Sequence, residues 1–243
     1  MNKKNSFFLI KNAFPRADII DLGNRMYSEF KRLNFDKENL EDSLQISLNR
    51  NEMPADNAKA KFRLDLKNYF HLTNSEILRS ALYDILGDYV WHFPAMFRVM
   101  DPLKTSGLLP YHQDYTYNRH YPSLLTCFIP LSDCGVDAPS LTIIDKEIYN
   151  KYPHKSSGFW EFGISSENLS SDITDKEVNI VANAGDVVIF NDLTLHKSYV
   201  KKGMNKIRLS MDARAISIIN ISESIKKERR FIKSDESKII SFI

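Results

Sequence analysis

The sequence has few cysteines and no long apolar run. Cys127 and Cys134 are its two cysteines, and they lie seven positions apart. Such a pair cannot provide a disulfide framework, so we expect two reduced thiols rather than a disulfide-rich secreted domain. The apolar run Phe7–Ile10 is shorter than the core of about 7–15 residues that a secretory signal needs. No run approaches the roughly 20 apolar residues of a membrane helix. We therefore expect a cytoplasmic protein.

An excess of charge of one sign is also lacking. The chain carries 33 Lys and Arg against 31 Asp and Glu, which gives a net charge of +2. This balance argues against nucleic acid or an anionic membrane as a partner, because both attract strongly basic surfaces. A length of 243 residues with 43% hydrophobic residues suits one domain with a substantial core.

The first third of the chain has helical periodicity. Residues 15–34 place apolar side chains at a spacing near that of an α-helix. Residues 74–90 repeat this pattern, with Asn74 or Ser75 as the N-cap and Gly87 at the end. The polar stretch between the two segments predicts a loop that leads into another short element.

From about residue 90 the sequence changes to short runs rich in β-branched and aromatic residues, separated by turn signals. This pattern is typical of a β-sandwich or barrel. The runs are residues 89–100, 124–133, 140–145, 177–190 and 207–219. Within the fourth run, Ala184-Gly185-Asp186 predicts a turn ahead of a strand at Val187–Phe190.

These patterns predict one mainly β domain over residues 1–243, with flanking helices. Residues 1–90 form a mostly helical support, residues 90–216 form the β-rich core, and residues 217–243 form a C-terminal tail. Residues 222–238 of this tail mix charges of both signs, and this composition favours a solvated helix or a frayed terminus.

The triplet His112-Gln113-Asp114 is the strongest candidate for a metal site. In an extended chain the side chains at i and i+2 share a face, so His112 and Asp114 can bind one ion together. His196 follows the predicted strand Val187–Phe190 and can supply a third ligand. Two histidines and one carboxylate are typical of non-haem Fe(II) oxygenases. The HExxH motif common in zinc peptidases is absent.

An anion site is predicted on the strand that follows His196. Arg208 comes twelve residues after this histidine, and alternation places Arg208 and Arg214 on one face of the strand. Either guanidinium can form a two-pronged contact with a carboxylate. Ser198, two residues after His196, can add a hydroxyl donor.

Together, three stretches resemble the phytanoyl-CoA dioxygenase-like family of Fe(II)- and 2-oxoglutarate-dependent oxygenases. They are His112-Gln113-Asp114, residues 185–198 with His196 and Ser198, and residues 205–216 with Arg208. The resemblance covers roughly residues 90–216. It implies a double-stranded β-helix, which is a jelly-roll or cupin-like barrel, supported by the N-terminal helices.

The resemblance also implies roles for individual residues. His112, Asp114 and His196 would hold the iron and form the catalytic centre. Arg208 and Ser198 would bind the distal carboxylate of 2-oxoglutarate. Two neighbours of the triplet, Arg98 on the strand before it and Thr126 on the strand after it, are further candidates for cosubstrate binding.

The reaction implied by this family consumes O2 and 2-oxoglutarate, releases succinate and CO2, and hydroxylates a C–H bond of the substrate. Related halogenases replace the carboxylate ligand with a small residue. The presence of Asp114 therefore favours hydroxylation or a related oxidation over chlorination.

Residues around the triplet and on the later strand are candidates for substrate binding: Tyr115, Tyr117, Arg119, His120 and Arg214. Tyrosines offer flat contact area with a polar tip, which suits an amino acid, a saccharide or a secondary metabolite. We expect a small-molecule substrate and a monomer or homodimer. Two alternatives stay open: a cupin-type metal enzyme that does not use 2-oxoglutarate, and a non-catalytic jelly-roll ligand-binding protein.

Overall fold

The computed structural model describes residues 6–34, 75–103, 108–116, 118, 121, 123–157, 160–222, 230–232 and 239–240. The predicted loop between the two helical segments lies outside these ranges. Three of the predicted substrate residues, Tyr117, Arg119 and His120, also lie outside the described residues.

Strands dominate the described part of the chain. The helices are α1 (Arg16–Asn34), α2 (Glu76–Leu86) and the single turn α3 (Ser171–Thr174). The strands are β1 (Phe7–Ile10), β2 (Tyr89–Met100), β3 (Leu124–Pro130), β4 (Ser140–Ile144), β5 (Lys155–Ser157), β6 (Trp160–Gly163), β7 (Glu177–Asn179), β8 (Val187–Asn191), β9 (His196–Tyr199), β10 (Arg208–Ser217), β11 (Arg230–Ile232) and β12 (Ile239–Ile240).

The two predicted helices are confirmed, and α2 has the predicted caps. Ser75 Oγ accepts a hydrogen bond of 3.4 Å from the Leu78 amide at the N-terminus. Gly87 adopts a φ of 65°, and its N–H donates to the Tyr83 carbonyl at the C-terminus. Both helices bury their apolar stripes, including Ile19 on α1, against the large sheet.

The large sheet is antiparallel, with the strand order β1-β8-β3-β10-β2-β11-β12. Its central strand β10 is buried along its whole length. The apolar residues Leu209, Met211, Ala213 and Ala215 belong to the core cluster that also contains the helices. By alternation, the polar residues of β10 face the interior on the other side of the sheet.

A second antiparallel sheet has the order β7-β4-β9, and β5 and β6 form a separate hairpin pair. The turn before β8 is formed as predicted, with Gly185 at a φ of 97°. A Cβ atom at Gly185 would lie 2.7 Å from the Phe14 carbonyl oxygen, so a side chain cannot be accommodated there. The mainly antiparallel β architecture with supporting helices is the predicted jelly-roll.

Two features of the large sheet differ from the sequence prediction. Phe7–Ile10, within the region expected to be mostly helical, forms β1 and pairs with β8. Arg230–Ile232 forms β11 and pairs with β2, so the prediction of a solvated helix or frayed terminus was wrong for these residues. Both segments are short, and their strand state depends on a distant partner that local composition does not reveal. None of the helices in the described ranges has the length and apolarity needed to cross a membrane.

Candidate metal centre

A short backbone ladder places the two candidate histidines opposite each other. The His112 N–H donates to the His196 carbonyl at 2.9 Å, and the His196 N–H donates to the His112 carbonyl at 3.1 Å. The ring centroids are 4.1 Å apart. Asp114 begins a 3₁₀ turn directly after this bridge. All three side chains are buried, and one ligand atom from each lies within 4.8 Å of the others, so the set is able to bind a metal ion.

Backbone carbonyls fix the tautomer of both histidines. Nδ1 of His112 bonds to the Pro110 carbonyl at 2.9 Å, and Nδ1 of His196 bonds to the Thr194 carbonyl at 3.0 Å. Because a carbonyl can only accept, Nδ1 carries the proton in each ring, and Nε2 has the lone pair that a metal requires. Burial, followed by the charge of His196, lowers the pKa of His112 to about 3 and keeps the ring in its neutral, ligand form.

The Asp114 carboxylate is buried but strongly favoured in its ionised form. Thr126 Oγ1 donates a hydrogen bond to Oδ2, and Arg214 Nη2 lies 3.7 Å from the same oxygen. Burial raises the pKa of Asp114, but Arg214, the two histidines and the threonine lower it by more. The net pKa of Asp114 is well below its usual range, so the group is an anionic ligand at neutral pH.

Gln113 points away from this centre, as alternation requires. Its Nε2 donates to the carbonyls of Asn150 and Leu193, and its Oε1 accepts from the Tyr152 amide. The Gln113 backbone N–H donates to Nε2 of His154. Through these hydrogen bonds, Gln113 holds the segment after β4 and the turn before β9 in place.

Arg208 is a buried cation that makes no ion pair with any described carboxylate. Its side chain is 1% exposed, and Nη1 donates to the Ser140 carbonyl at 3.1 Å. Nε has no hydrogen-bond partner, and no described carboxylate lies within ion-pair distance. Burial lowers the pKa of Arg208 to about 10, which still leaves the group charged at neutral pH. A buried charge in this state is suited to an anionic ligand.

Ser198 is one register position along the second sheet from the residue pair that includes Ser140. Ser140, whose carbonyl Arg208 contacts, pairs with Tyr199, and Leu141 pairs with Ser198. The Ser198 hydroxyl accepts a hydrogen bond from the Leu109 amide at 2.9 Å. Its own proton can therefore be donated to a second acceptor.

The other predicted site residues have protein partners. Arg98 Nε bonds to Asp212 Oδ2, and both side chains are largely buried. Thr126 and Arg214 both contact Asp114. The sequence had predicted Thr126 to bind the cosubstrate and Arg214 to bind the substrate. The Tyr115 ring lies 3.9 Å from Lys151 Nζ, and its backbone N–H donates to the Asp192 carbonyl.

Sequence reasoning missed two acidic residues near the centre. Asp212 shares the β10 face of Arg208 and Arg214, so strand alternation alone could have identified it. Asp192 is half-buried, and burial, together with the charge of Asp114, raises its pKa to about 6. No sequence signal marks Asp192, because its proximity to Asp114 arises from the turn between β8 and β9.

Comparison with known proteins supports the interpretation of these residues as a metal centre. The model of the phytanoyl-CoA dioxygenase (PhyH) family matches residues 7–204. Comparison with curated protein sequences finds no match. Several solved structures share the fold.

The non-heme alpha ketoglutarate dependent carbocyclase SnoK from nogalamycin biosynthesis has a TM-score of 0.59 at 19% identity, covering 88% of this chain and 81% of SnoK. The epimerase SnoN in complex with Fe3+, alpha ketoglutarate and nogalamycin RO has a TM-score of 0.56 at 12% identity, covering 96% and 84%. Apo EctD from S. alaskensis has a TM-score of 0.59 at 12% identity, covering 91% and 77%.

At these identities the structural likeness establishes the fold alone, whereas the family match spans most of the chain. The donor set of two imidazoles and one carboxylate fits a non-haem iron, and the buried Arg208, which has no ion pair among the described residues, fits a dicarboxylate. The chain belongs to the phytanoyl-CoA dioxygenase family.

Proposed function

We propose that the protein is an Fe(II)- and 2-oxoglutarate-dependent oxygenase that oxidises a small organic molecule. The observation that supports this most strongly is the pairing of two features in one interior: a three-residue metal set and a buried arginine without an ion pair among the described residues. Neither alternative function requires both features. A metal enzyme without a keto-acid cosubstrate has no need for the buried charge of Arg208, and a ligand-binding module has no need for the metal set.

In this proposal His112, Asp114 and His196 hold the metal, and Arg208 with Ser198 holds the distal carboxylate of 2-oxoglutarate. Arg208 is preferred over Arg98 because Asp212 already neutralises Arg98. It is preferred over Arg214 because Arg214 lies against Asp114. A charged hydrogen bond of this type contributes about 1.5–3 kcal/mol when it is buried.

When bound, the iron would couple O2 reduction to the conversion of 2-oxoglutarate into succinate and CO2, which is the demanding part of the chemistry. The residues of the chain keep the His112 imidazole neutral and Asp114 ionised, and their burial keeps bulk water away from the centre. We propose hydroxylation of a C–H bond as the outcome. Epimerisation and ring formation are the competing outcomes, because the named activities of SnoN and SnoK include them.

The substrate side of the proposal involves the residues around the triplet. Tyr115, with Lys151 over its ring and Asp192 beside its backbone, is the described member of this group. Tyr117, Arg119 and His120 stay predictions. A face with an aromatic ring and groups of both charges suits a small polar molecule such as an amino acid, a saccharide or a secondary metabolite. We further propose that residues 1–243 act as a single domain.

The proposal is tested by measuring succinate release from 2-oxoglutarate under air, with and without added Fe(II), across a panel of small molecules. We expect slow iron-dependent turnover without substrate and faster turnover with the correct one. Asp114→Ala should abolish both rates. Thr142→Val, which alters a buried threonine of β4 away from the metal set, is the control. Succinate release that does not depend on iron or on Asp114 would refute the proposal.

A further inference from the structure

The Asp114 carboxylate is held through one of its two oxygens. The direct hydrogen bond from Thr126 and the charge of Arg214 both reach Oδ2. Thr126 and Arg214 are cross-strand partners on β3 and β10, so both side chains leave the sheet at the same place. Within the described residues, no side-chain hydrogen bond or ion pair reaches Oδ1.

On the basis of the proposed function, we propose that Thr126 and Arg214 are positioning residues that keep Oδ2 engaged, so that Asp114 presents Oδ1 alone to the metal. A carboxylate can bind a cation through one oxygen or through both. If Asp114 gave the iron one oxygen, more positions would stay open for 2-oxoglutarate and O2. Two-oxygen binding by Asp114 would occupy one of them.

The burial of both residues supports this role. Thr126 is 2% exposed and Arg214 is 9% exposed, so neither can readily turn to solvent. Arg214 Nε has no hydrogen-bond partner among the described residues, and Asp114 is the only described carboxylate within ion-pair distance of Arg214. At 3.7 Å the guanidinium acts mainly by charge, whereas the threonine supplies the direct hydrogen bond.

The test compares Thr126→Val, Arg214→Gln and the double variant with wild type under anaerobic conditions. Two quantities are measured: the Fe(II) affinity, by competition with a chromophoric chelator, and the 2-oxoglutarate concentration that gives half of the visible chelate band at saturating Fe(II). We expect Fe(II) affinity equal to or tighter than wild type, because Asp114 is released to bind through both oxygens. The required 2-oxoglutarate concentration should rise about tenfold or more, an order of magnitude taken from the effect of outer-shell partners on metal affinity and activity.

Further variants separate this role from ordinary packing. The double variant should be no more affected than the more affected single variant, because both residues act on one oxygen. Thr126→Ser retains the hydroxyl and should restore most of the 2-oxoglutarate response. Thr142→Val removes a buried threonine hydroxyl that bonds to Asn179 on β7, and should leave the 2-oxoglutarate requirement at its wild-type value.

The inference is overturned if both single variants need the same 2-oxoglutarate concentration as wild type. It is also overturned if Fe(II) affinity and melting temperature fall together while the 2-oxoglutarate requirement of the loaded protein is unchanged. If Arg214→Gln does not fold, the comparison of Thr126→Val with Thr126→Ser decides the question. A wild-type protein without a chelate band overturns the proposed function and this inference with it. A wild-type band that the variants reproduce overturns this inference alone.

Discussion

The charge of Arg208 lies in the interior of the barrel, and no described carboxylate is within ion-pair distance of it. Arg98, a few residues from it across the sheet, is balanced by Asp212. An unbalanced buried charge costs free energy of folding, whereas a paired one is close to neutral. Of these two arginines, Arg208 is therefore the one whose buried charge is best explained by the binding of an anionic ligand.

Replacing Arg208 with methionine should therefore separate binding from stability. We expect the metal-free Arg208→Met protein to melt at or above the wild-type temperature, because a buried unbalanced charge has been removed. Its affinity for 2-oxoglutarate should fall about tenfold or more, since a charged hydrogen bond is lost. Thermal unfolding measures the melting temperature, and titration with 2-oxoglutarate measures the affinity. Arg25→Met, on the exposed face of α1, is the control. A large fall in melting temperature with unchanged 2-oxoglutarate affinity would show that the role of Arg208 is structural.

Asp192 should give the metal-free protein a defined pH dependence. Its pKa rises from 3.8 to about 6 on folding, chiefly through burial. Between these values the folded state holds the proton more tightly, so the contribution of Asp192 to stability falls as the pH rises. Asp192→Asn should therefore gain stability relative to wild type between pH 4 and pH 7, as measured by urea unfolding. Asp84→Asn, at an exposed position on α2, is the matched control. An advantage that does not change with pH would contradict the assignment.

At the scale of the elements, Gln113 connects the metal set to two surrounding segments. Its side chain is fully buried and bonds to the backbone of Asn150, Tyr152 and Leu193. Leu193 lies in the turn that leads into β9 and His196. The position of His196 therefore depends on Gln113, the residue between His112 and Asp114.

Two variants of similar size test this connection. Gln113→Met removes all three side-chain hydrogen bonds, and Gln113→Glu turns an oxygen toward two carbonyls. Each buried polar group left without a partner costs about 1–3 kcal/mol, so both variants should lose several kcal/mol of unfolding free energy. Both should also bind Co(II) more weakly than wild type, because the backbone that carries the ligands is less well held. Unchanged Co(II) affinity in a destabilised Gln113→Met protein would show that the loop and the metal set are independent.

The sequence predicted the elements whose signals are local. The α2 caps, the turn at Gly185 and the alternation in β10 depend on neighbouring residues, and all three are present in the structure. The contacts of Thr126 and Arg214 with Asp114 were not predictable, because they require the register of β3 against β10. The strand state of β1 and β11 depends on distant partners in the same way.

At the scale of the whole molecule, the metal set joins parts that are far apart in the sequence. His112 and Asp114 precede β3, and His196 begins β9, so a bound ion would link two segments that lie side by side but are far apart in the sequence. A ligand that binds only the folded state stabilises it by mass action.

Metal loading should therefore raise the melting temperature. At about 100 times the dissociation constant, Co(II) should contribute about 2.7 kcal/mol, which for a chain of this size corresponds to about 5–10 °C. 2-Oxoglutarate should add a further shift only when the metal is present, because two of its oxygens would bind the ion. The shifts are measured by differential scanning calorimetry. His196→Ala should abolish both shifts, and a full Co(II) shift in that variant would exclude His196 from the metal set.

The central claim is that one interior holds both iron and 2-oxoglutarate. The most direct test is an anaerobic absorption titration, in which 2-oxoglutarate is added to the Fe(II)-loaded protein and the weak visible band of the chelate is followed. We predict a saturable band with one 2-oxoglutarate per chain in wild type, no band in Asp114→Ala, and a band in Arg208→Met only at much higher 2-oxoglutarate. Folded, iron-loaded wild-type protein that develops no band would contradict the account.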